Sequence, residues 1–362
     1  MSEPGAKKRA VHCPGTPAVA LPEETSPGAI GSGSVDELRS LTLAELKAVV
    51  GRLPESLRHI AEYHFGWKDE RGRPVQGSPG KLVRPVLVLM CARAAGGQAE
   101  AAIPAAVAVE LVHNFSLLHD DVMDGDATRR HRLTVWSAFG TGNAVLLGDA
   151  LLALAFETVT ALGRGSAGAF SDALLDMVQG QAKDLAFEVE TSVTLSDGMT
   201  MAAGKTGALL RCACLLGALS AGADEARAVS FGEFGAHLGL AFQLTDDVLS
   251  IWGDPETTGK PVGNDLRTRK KTLPVLAALS SGTAAAERLA LLYGRDPARP
   301  TGPDECGELA ALIEQAGGRS WAEHSGQQAY AAAIAALERA RPEAGAAVGL
   351  LALAEALVHR TS

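Results

Sequence analysis

Residues 115–130 read FSLLHDDVMDGDATRR. The stretch closes an apolar run, residues 106–118 (AVAVELVHNFSLL), and passes into the turn-formers Gly125, Asp126 and Thr128. Positions four apart share one face of a helix, so Asp120 and Asp124 point the same way at a helix end. Two carboxylates placed there repel each other where the helix dipole is already negative. A hard divalent cation with oxygen ligands answers that charge best, and Mg²⁺ is usually held by one or two carboxylates plus substrate phosphates. Arg129 and Arg130 then offer forked donors for a second anion. Taken alone, the same letters also describe an acidic helix end turned to solvent.

A second copy decides between the two. Residues 242–254 (FQLTDDVLSIWGD) again end an apolar helical run in paired aspartates, Asp246 and Asp247, with GKPVGNDLRTRKKT close behind. Two acidic helix ends facing each other across a cavity would hold a cluster of cations and one diphosphate. With both motifs present, in this order and spacing, the chain resembles the trans-polyprenyl diphosphate synthases from about residue 80 to residue 274. These prenyltransferases make farnesyl and geranylgeranyl diphosphates. The resemblance implies an all-α fold, helices bundled around a deep central cavity.

It also implies a set of roles. Asp120 and Asp124 match the first metal motif and Asp246 the leading position of the second, with Asp121 and Asp247 in support. Lys205 joins the three metal-motif aspartates in the catalytic set. Arg129, Lys205, Thr206, Gln243, Lys260 and Lys270 match the contacts to an allylic diphosphate. Lys81, Arg84, His113 and Arg130 match the site for isopentenyl diphosphate. Phe115 and Ser116, just before Asp120, match the place that sets product length, and their pairing favours a C20 product over C15. Homodimerisation is a further expectation from the family. Two departures stand out: Ser250 replaces a third aspartate of the second motif, and Leu82 stands where many relatives carry arginine. Serine is still expected to reach a water on the metal, with Asp254 nearby.

Composition agrees with this reading. Of 362 residues, 47% are hydrophobic but only 4% aromatic, which favours close-packed helices over sheets. A net charge of −9 argues against nucleic acid as the main partner. The five cysteines, Cys13, Cys91, Cys212, Cys214 and Cys306, are scattered and odd in number, which fits small core residues in a reducing, cytoplasmic setting. No uninterrupted apolar run reaches the ~18 residues of a membrane span, so none is expected, and the N-terminus has no signal-peptide core.

Residues 1–35, rich in Gly, Pro, Ser and Ala, read as a disordered tail before a single domain over 36–362. Ser34 or Asp36 is the expected cap of the first helix. The chain is also similar to polyprenyl transferases carried as cargo in encapsulin shells, which have such an extension. That similarity implies a shell as partner and compartment. Apolar helical runs follow at 82–95, 101–119, 142–162, 173–188, 203–221 and 226–249. Further Ala/Leu helices at 308–315, 321–339 and 343–359 read as structural cover. His119, outside the family pattern, reads as structural. The reading to be tested is a Mg²⁺-dependent condensation of isopentenyl diphosphate with an allylic diphosphate. Its rivals are a terpene cyclase on the same fold and a non-catalytic regulatory subunit.

Overall fold

The computed structural model describes residues 35–75, 80, 82–253, 263–294 and 301–358. The apolar runs become helices: α1 (Val35–Val50), α2 (Glu55–His64), α3 (Val83–Ala94), α4 (Ile103–Met123), α5 (Val135–Phe139) and α6 (Thr141–Thr160). Next come α7 (Arg164–Val189), α8 (Leu195–Ala202), α9 (Ala208–Ser220) and α10 (Glu225–Trp252). The remainder is α11 (Asn264–Arg267), α12 (Leu273–Leu279), α13 (Ala284–Tyr293), α14 (Pro303–Gln315), α15 (Gly318–Arg339) and α16 (Ala344–Val358). Among the described residues one small hairpin interrupts the helices, β1 (Thr128–Arg129) paired with β2 (Arg132–Leu133). The fold is all-α, as the sequence leads one to expect.

Helix α10 lies at the centre, packed on α9 and on α15, while α3 packs on α9 and α4 on α6. The principal core draws Leu87, Val109, Leu147, Leu216, Phe234 and Ala333 from these helices, with Leu46 from α1 and Phe170 from α7. A second, smaller cluster of Ile251, Leu266, Val275, Leu289, Leu309 and Ile313 gathers the end of α10 with α11 to α14.

A chain so poor in aromatics fills its core by bringing backbones together. A methyl group at Gly217 would lie 2.2 Å from the Val88 carbonyl oxygen, and one at Gly235 would lie 2.3 Å from that of Leu210. Helices α3, α9 and α10 therefore touch main chain to main chain, at a density larger residues would prevent. Arg227 ties three segment ends together: Nε donates to the Ala340 carbonyl at 3.1 Å, Nη2 to that of Arg341 at 3.2 Å, and Nη1 to that of Ala95 at 3.4 Å. Lone helix-end carbonyls are thus satisfied by one guanidinium.

Three expectations change. Asp36 is not a cap: it lies inside the first turn of α1 and accepts from Arg39 at 2.9 Å, while Ser34 falls outside the described residues. The run at 203–221 is not one regular helix, because residues Ala203–Gly207 form a π-helical turn before α9. Finally, Ala99–Met123, Thr141–Thr160 and Leu195–Ser220 are each long and apolar enough, by length and composition, to cross a membrane. A criterion of unbroken apolar letters passes over helices that carry one or two charges. In this fold the first and third are mostly buried, whereas only 33% of Thr141–Thr160 is covered. The proposed tail, residues 1–34 of it, lies outside the described residues.

Candidate active site

Asp120 sits in the last turn of α4, and Asp124 is its C-cap, with the Asp124 amide donating to the Asp120 carbonyl at 2.8 Å. Burial pushes the Asp120 carboxyl up to about 6; Lys205 and Arg129 oppose the rise, Asp124 and Asp184 add to it. Asp124 is likewise raised by burial and by Asp184 and Asp126, against Lys205 and Lys270. These acids crowd one another, and a bound cation would relieve them.

Asp121 points the other way and is buried. It takes two bonds from Arg129, Nε at 2.8 Å and Nη2 at 2.7 Å, both to Oδ1. Asp121 therefore holds the Arg129 guanidinium beside the acidic helix end. The next residue departs from it at once. Arg130 and His131 form the two-residue turn between β1 and β2, with φ of 51° and 61°. Such a turn demands two left-handed residues and normally recruits Asn-Gly. Here it carries Arg130 away from its neighbour.

The π-helical turn Ala203–Gly207 presents Lys205 and Thr206. Single π turns inside α-helices recur at functional sites. Its approach to α7 depends on a pair of glycines: a methyl at Gly180 would stand 2.2 Å from the Lys205 amide nitrogen, and one at Gly204 would stand 2.7 Å from the Asp176 carbonyl oxygen. Lys205 Nζ reaches Asp184 Oδ2 of α7 at 2.5 Å, and Lys270 Nζ reaches the same oxygen at 3.1 Å. Burial lifts the Asp184 carboxyl, but the ammonium groups of Lys270 and Lys205 outweigh it and hold it below the usual range. Burial opposes the charge on Lys270, yet Asp184, Asp265 and Asp124 raise it.

On α10 the second acidic pair divides as the first does. Asp246 is half-buried. Asp247 is buried, accepts from Gln243 Nε2 at 2.7 Å and from the Leu273 amide at 2.9 Å. Gln243 Oε1 accepts in turn from Thr206 Oγ1 at 2.6 Å. Thr206, Gln243 and Asp247 thus form one chain of bonds linking the π turn, α10 and the start of α12. Burial lifts Asp247 to about 7; the Leu273 amide, Gln243 and Lys270 oppose it, Asp265 adds. Because Lys270 acts on Asp124 and Asp247 alike, both acidic helix ends lie within its electrostatic reach. The Ser250 hydroxyl donates back to the Asp247 carbonyl at 2.9 Å, which leaves its oxygen's lone pairs to accept from a water. Asp254 and Lys260 lie outside the described residues.

Beside this cluster opens a cavity of about 430 Å³ lined by Gly80, Leu82, Val83, Arg84, Glu110, His113, Arg130, Leu210, Phe242 and Leu357. Three of the four residues expected to bind isopentenyl diphosphate line it; the fourth, Lys81, lies outside the described residues. Arg84 Nη1 donates to His113 Nε2 at 3.2 Å. Burial first, then Arg84 and Arg130, hold the His113 imidazole far below its usual range, so it is neutral. Gly80, at φ 87°, leaves room that a methyl would close to 2.9 Å from Arg130 Nη1. Behind the wall, Asn114 Nδ2 donates to Glu110 Oε1 at 2.9 Å and its oxygen accepts from His64 Nε2 at 3.0 Å.

Phe115 is buried, with its ring edge-on to His119 at 4.7 Å. Ser116 donates back to the His113 carbonyl at 2.8 Å. His119 is structural in the sense expected, donating from Nε2 to the Val145 carbonyl at 3.2 Å over Gly148.

Among the described residues no three His, Cys, Asp or Glu side chains stand close enough to cage a metal by themselves. A pair of carboxylates on one helix end, with cationic side chains around an anion site, instead suits Mg²⁺ bound jointly with phosphates. Asp184, Glu110, Asn114 and His64 join the site through the fold alone, since no motif in the sequence singles them out.

The profile of the polyprenyl synthetase family matches residues 70–309. This chain belongs to the polyprenyl synthetase family. The (2E,6E)-farnesyl diphosphate synthase of Mycobacterium tuberculosis is 49% identical over 282 residues, 76% of this chain and 79% of the relative. The geranylgeranyl diphosphate synthase of the same organism is 45% identical over 339 residues, 92% of this chain and 95% of the relative. Among solved structures, a polyprenyl synthetase from Streptomyces coelicolor A3(2) superposes with a TM-score of 0.84 at 45% identity, covering 89% of this chain and 98% of that one. The chain is a prenyltransferase of the short-chain polyprenyl diphosphate synthase type.

Proposed function

We propose that this chain condenses isopentenyl diphosphate head-to-tail with an allylic diphosphate, using Mg²⁺, and stops at the C20 product. The observation that carries the reading is the pairing of two groups of cationic side chains. Arg129 is held on Asp121 beside Asp120 and Asp124, Lys205 and Lys270 meet on Asp184 within electrostatic reach of the acidic pairs, and Arg84, His113 and Arg130 line a separate cavity. A cyclase takes one diphosphate and has no use for the second site.

In this reading Lys205, Lys270 and Arg129 draw the leaving diphosphate's charge as the allylic C–O bond breaks. Asp120, Asp124 and Asp246 would hold Mg²⁺, which would supply further neutralisation of that same charge. Arg84 and Arg130 fix the isopentenyl diphosphate so that its double bond meets the allylic cation. The new C–C bond forms, and the departed diphosphate takes the proton lost next to it. The buried Leu210 and half-buried Phe242 help keep water from the cation.

Purified protein is incubated with Mg²⁺, labelled isopentenyl diphosphate and dimethylallyl diphosphate. Longer linear diphosphates support the reading; cyclic hydrocarbons or no product refute it. Asp120→Ala should remove most turnover, and a chelator should abolish it reversibly.

Partners belong to the same reading. A homodimer is supported by exposed apolar side chains on neighbouring helices, Leu146 of α6 and Leu175 and Val178 of α7. A reducing, cytoplasmic setting is supported by Cys91, Cys212, Cys214 and Cys306, all buried free thiols. Cargo loading into an encapsulin shell rests on the composition of residues 1–35. Deleting that tail should leave catalysis intact and abolish co-purification with a shell protein; unchanged packaging refutes it.

A further inference from the structure

Asp184 is one of the residues of the site that no motif announces. It lies on α7, apart from both acidic pairs in the sequence, yet its Oδ2 takes Lys205 from the π turn at 2.5 Å and Lys270 from the segment before α12 at 3.1 Å. Its side chain is only 12% exposed, so these bonds form where water screens them little. One oxygen thus joins three segments that share no hydrogen-bonded ladder.

The backbone around each partner is arranged to make this possible. Gly180 and Gly204 let the π turn press against α7 one turn before Asp184. Arg269, at φ 51°, turns the chain just before Lys270, whose amide then donates to the Asp265 carbonyl at 2.8 Å. A left-handed arginine is costly, and such strain persists where the surroundings fix it.

The alternative anchors explain why a third carboxylate matters. Lys205 and Lys270 both act on Asp124, and Lys205 acts on Asp120. Ammonium groups on flexible four-carbon stems move to the nearest uncompensated carboxylate. Without Asp184, those carboxylates are the pair expected to meet the cation.

We propose that Asp184 is a positioning residue that holds Lys205 and Lys270 over the allylic diphosphate site and off Asp120 and Asp124, releasing them to the diphosphate when it binds. This deepens the proposed function and rests on it. The substrate-side chemistry is a diphosphate, which replaces one carboxylate oxygen as the lysines' shared acceptor.

The test compares wild type, Asp184→Asn, Asp184→Glu and the exposed control Asp172→Asn from the same helix. Calorimetry with inorganic pyrophosphate and Mg²⁺ measures binding directly, and steady-state kinetics measure the two substrates separately. Asp184→Asn should weaken pyrophosphate binding and raise the allylic KM by about tenfold, the scale of one charge-assisted bond pair. It should also raise the Mg²⁺ concentration for half-maximal binding, while the isopentenyl KM and the melting temperature stay near wild type. Asp184→Glu, whose carboxylate still reaches both lysines, should restore most of the affinity, and Asp172→Asn should change nothing. Wild-type affinity and Mg²⁺ demand in Asp184→Asn would overturn the proposal. So would equal rises in both KM values with a lowered melting temperature, the mark of a merely structural residue. If Asp184→Asn does not fold, Asp184→Glu decides: failure to bind pyrophosphate in a folded protein overturns the proposal. A wild-type protein that binds no pyrophosphate and forms no product defeats the proposed function instead, which separates the two failures.

Discussion

Arg129 and Arg130 are neighbours in the chain but reach different surroundings. Arg129 is held by Asp121 Oδ1 at 2.7 and 2.8 Å beside the first acidic helix end, whereas Arg130 lines the cavity with Arg84 and His113. The hairpin separates them: Arg129 ends β1 in extended backbone, whereas Arg130 opens the turn at φ 51°, which takes its side chain out of the strand's alternation.

That separation predicts two distinct kinetic defects. Arg129→Lys should raise the KM for the allylic diphosphate about tenfold and leave that for isopentenyl diphosphate nearly unchanged, because lysine cannot reproduce the fork held by Asp121. Arg130→Lys should do the reverse. Steady-state kinetics with each substrate varied in turn decide the matter, and a crossed pattern would contradict the assignment.

The turn itself makes a stability prediction. His131 is exposed and sits at φ 61°, where a side chain costs roughly 1–2 kcal/mol that glycine does not incur. His131→Gly gives part of this back as unfolded-chain entropy. The net gain should be about 0.5–1 kcal/mol, a rise of roughly 1 °C in melting temperature by calorimetry. A lower melting temperature would show that His131 makes a contact worth more than the strain.

Much of the site is legible in the sequence because it repeats a pattern. Asp120, Asp124 and Asp246 follow apolar helical runs, and Lys205, Thr206 and Gln243 sit in short motifs whose order alone marks the family. Asp184 is not legible, since a lone aspartate in a helix normally faces water, and only the fold brings two lysines to it. The hairpin is hidden for a related reason: Arg130-His131 lacks the Asn-Gly chemistry that marks such turns. Glu110 is absorbed into an apolar run, where one acid looks like a surface residue. The membrane-length helices escape a scan for unbroken apolar letters, which does not see α4, whose charges are confined to a few positions.

Glu110 also makes stability depend on pH. Burial raises its carboxyl from an ordinary 4.5 to about 7, against the opposing influence of Asn114, Arg84 and Arg130. A group whose folded value is raised contributes stability that is complete below its unfolded value and lost as pH climbs through the folded one. Wild type should therefore lose stability between about pH 5 and pH 8, and Glu110→Gln, which stays neutral, should lose less. The gap should grow toward pH 8, to roughly 2–3 kcal/mol in denaturant midpoints. A gap independent of pH would mean that Glu110 does not titrate in this range.

Product length should be set on the same helix. A growing prenyl chain runs away from the acidic helix end, and each isoprene unit of about 5 Å spans close to one helical turn. Phe115, a little over one turn before Asp120, is therefore placed to block the second or third unit. Its ring is not free to swing aside. It stands edge-on to His119 at 4.7 Å, and His119 is pinned by its bond to the Val145 carbonyl over Gly148. A methyl at Gly148 would fall 2.2 Å from His119 Nε2, so the position of the ring depends on that glycine too. Phe115→Ala should lengthen the product beyond C20, and Ser116→Phe should shorten it. Gly148→Ala, by displacing His119 against Phe115, should broaden the distribution without abolishing turnover. Chromatography of the dephosphorylated alcohols reads all three. An unchanged distribution in Phe115→Ala would move the floor of the pocket to α6, among residues 147–154, and take product length out of the control of α4.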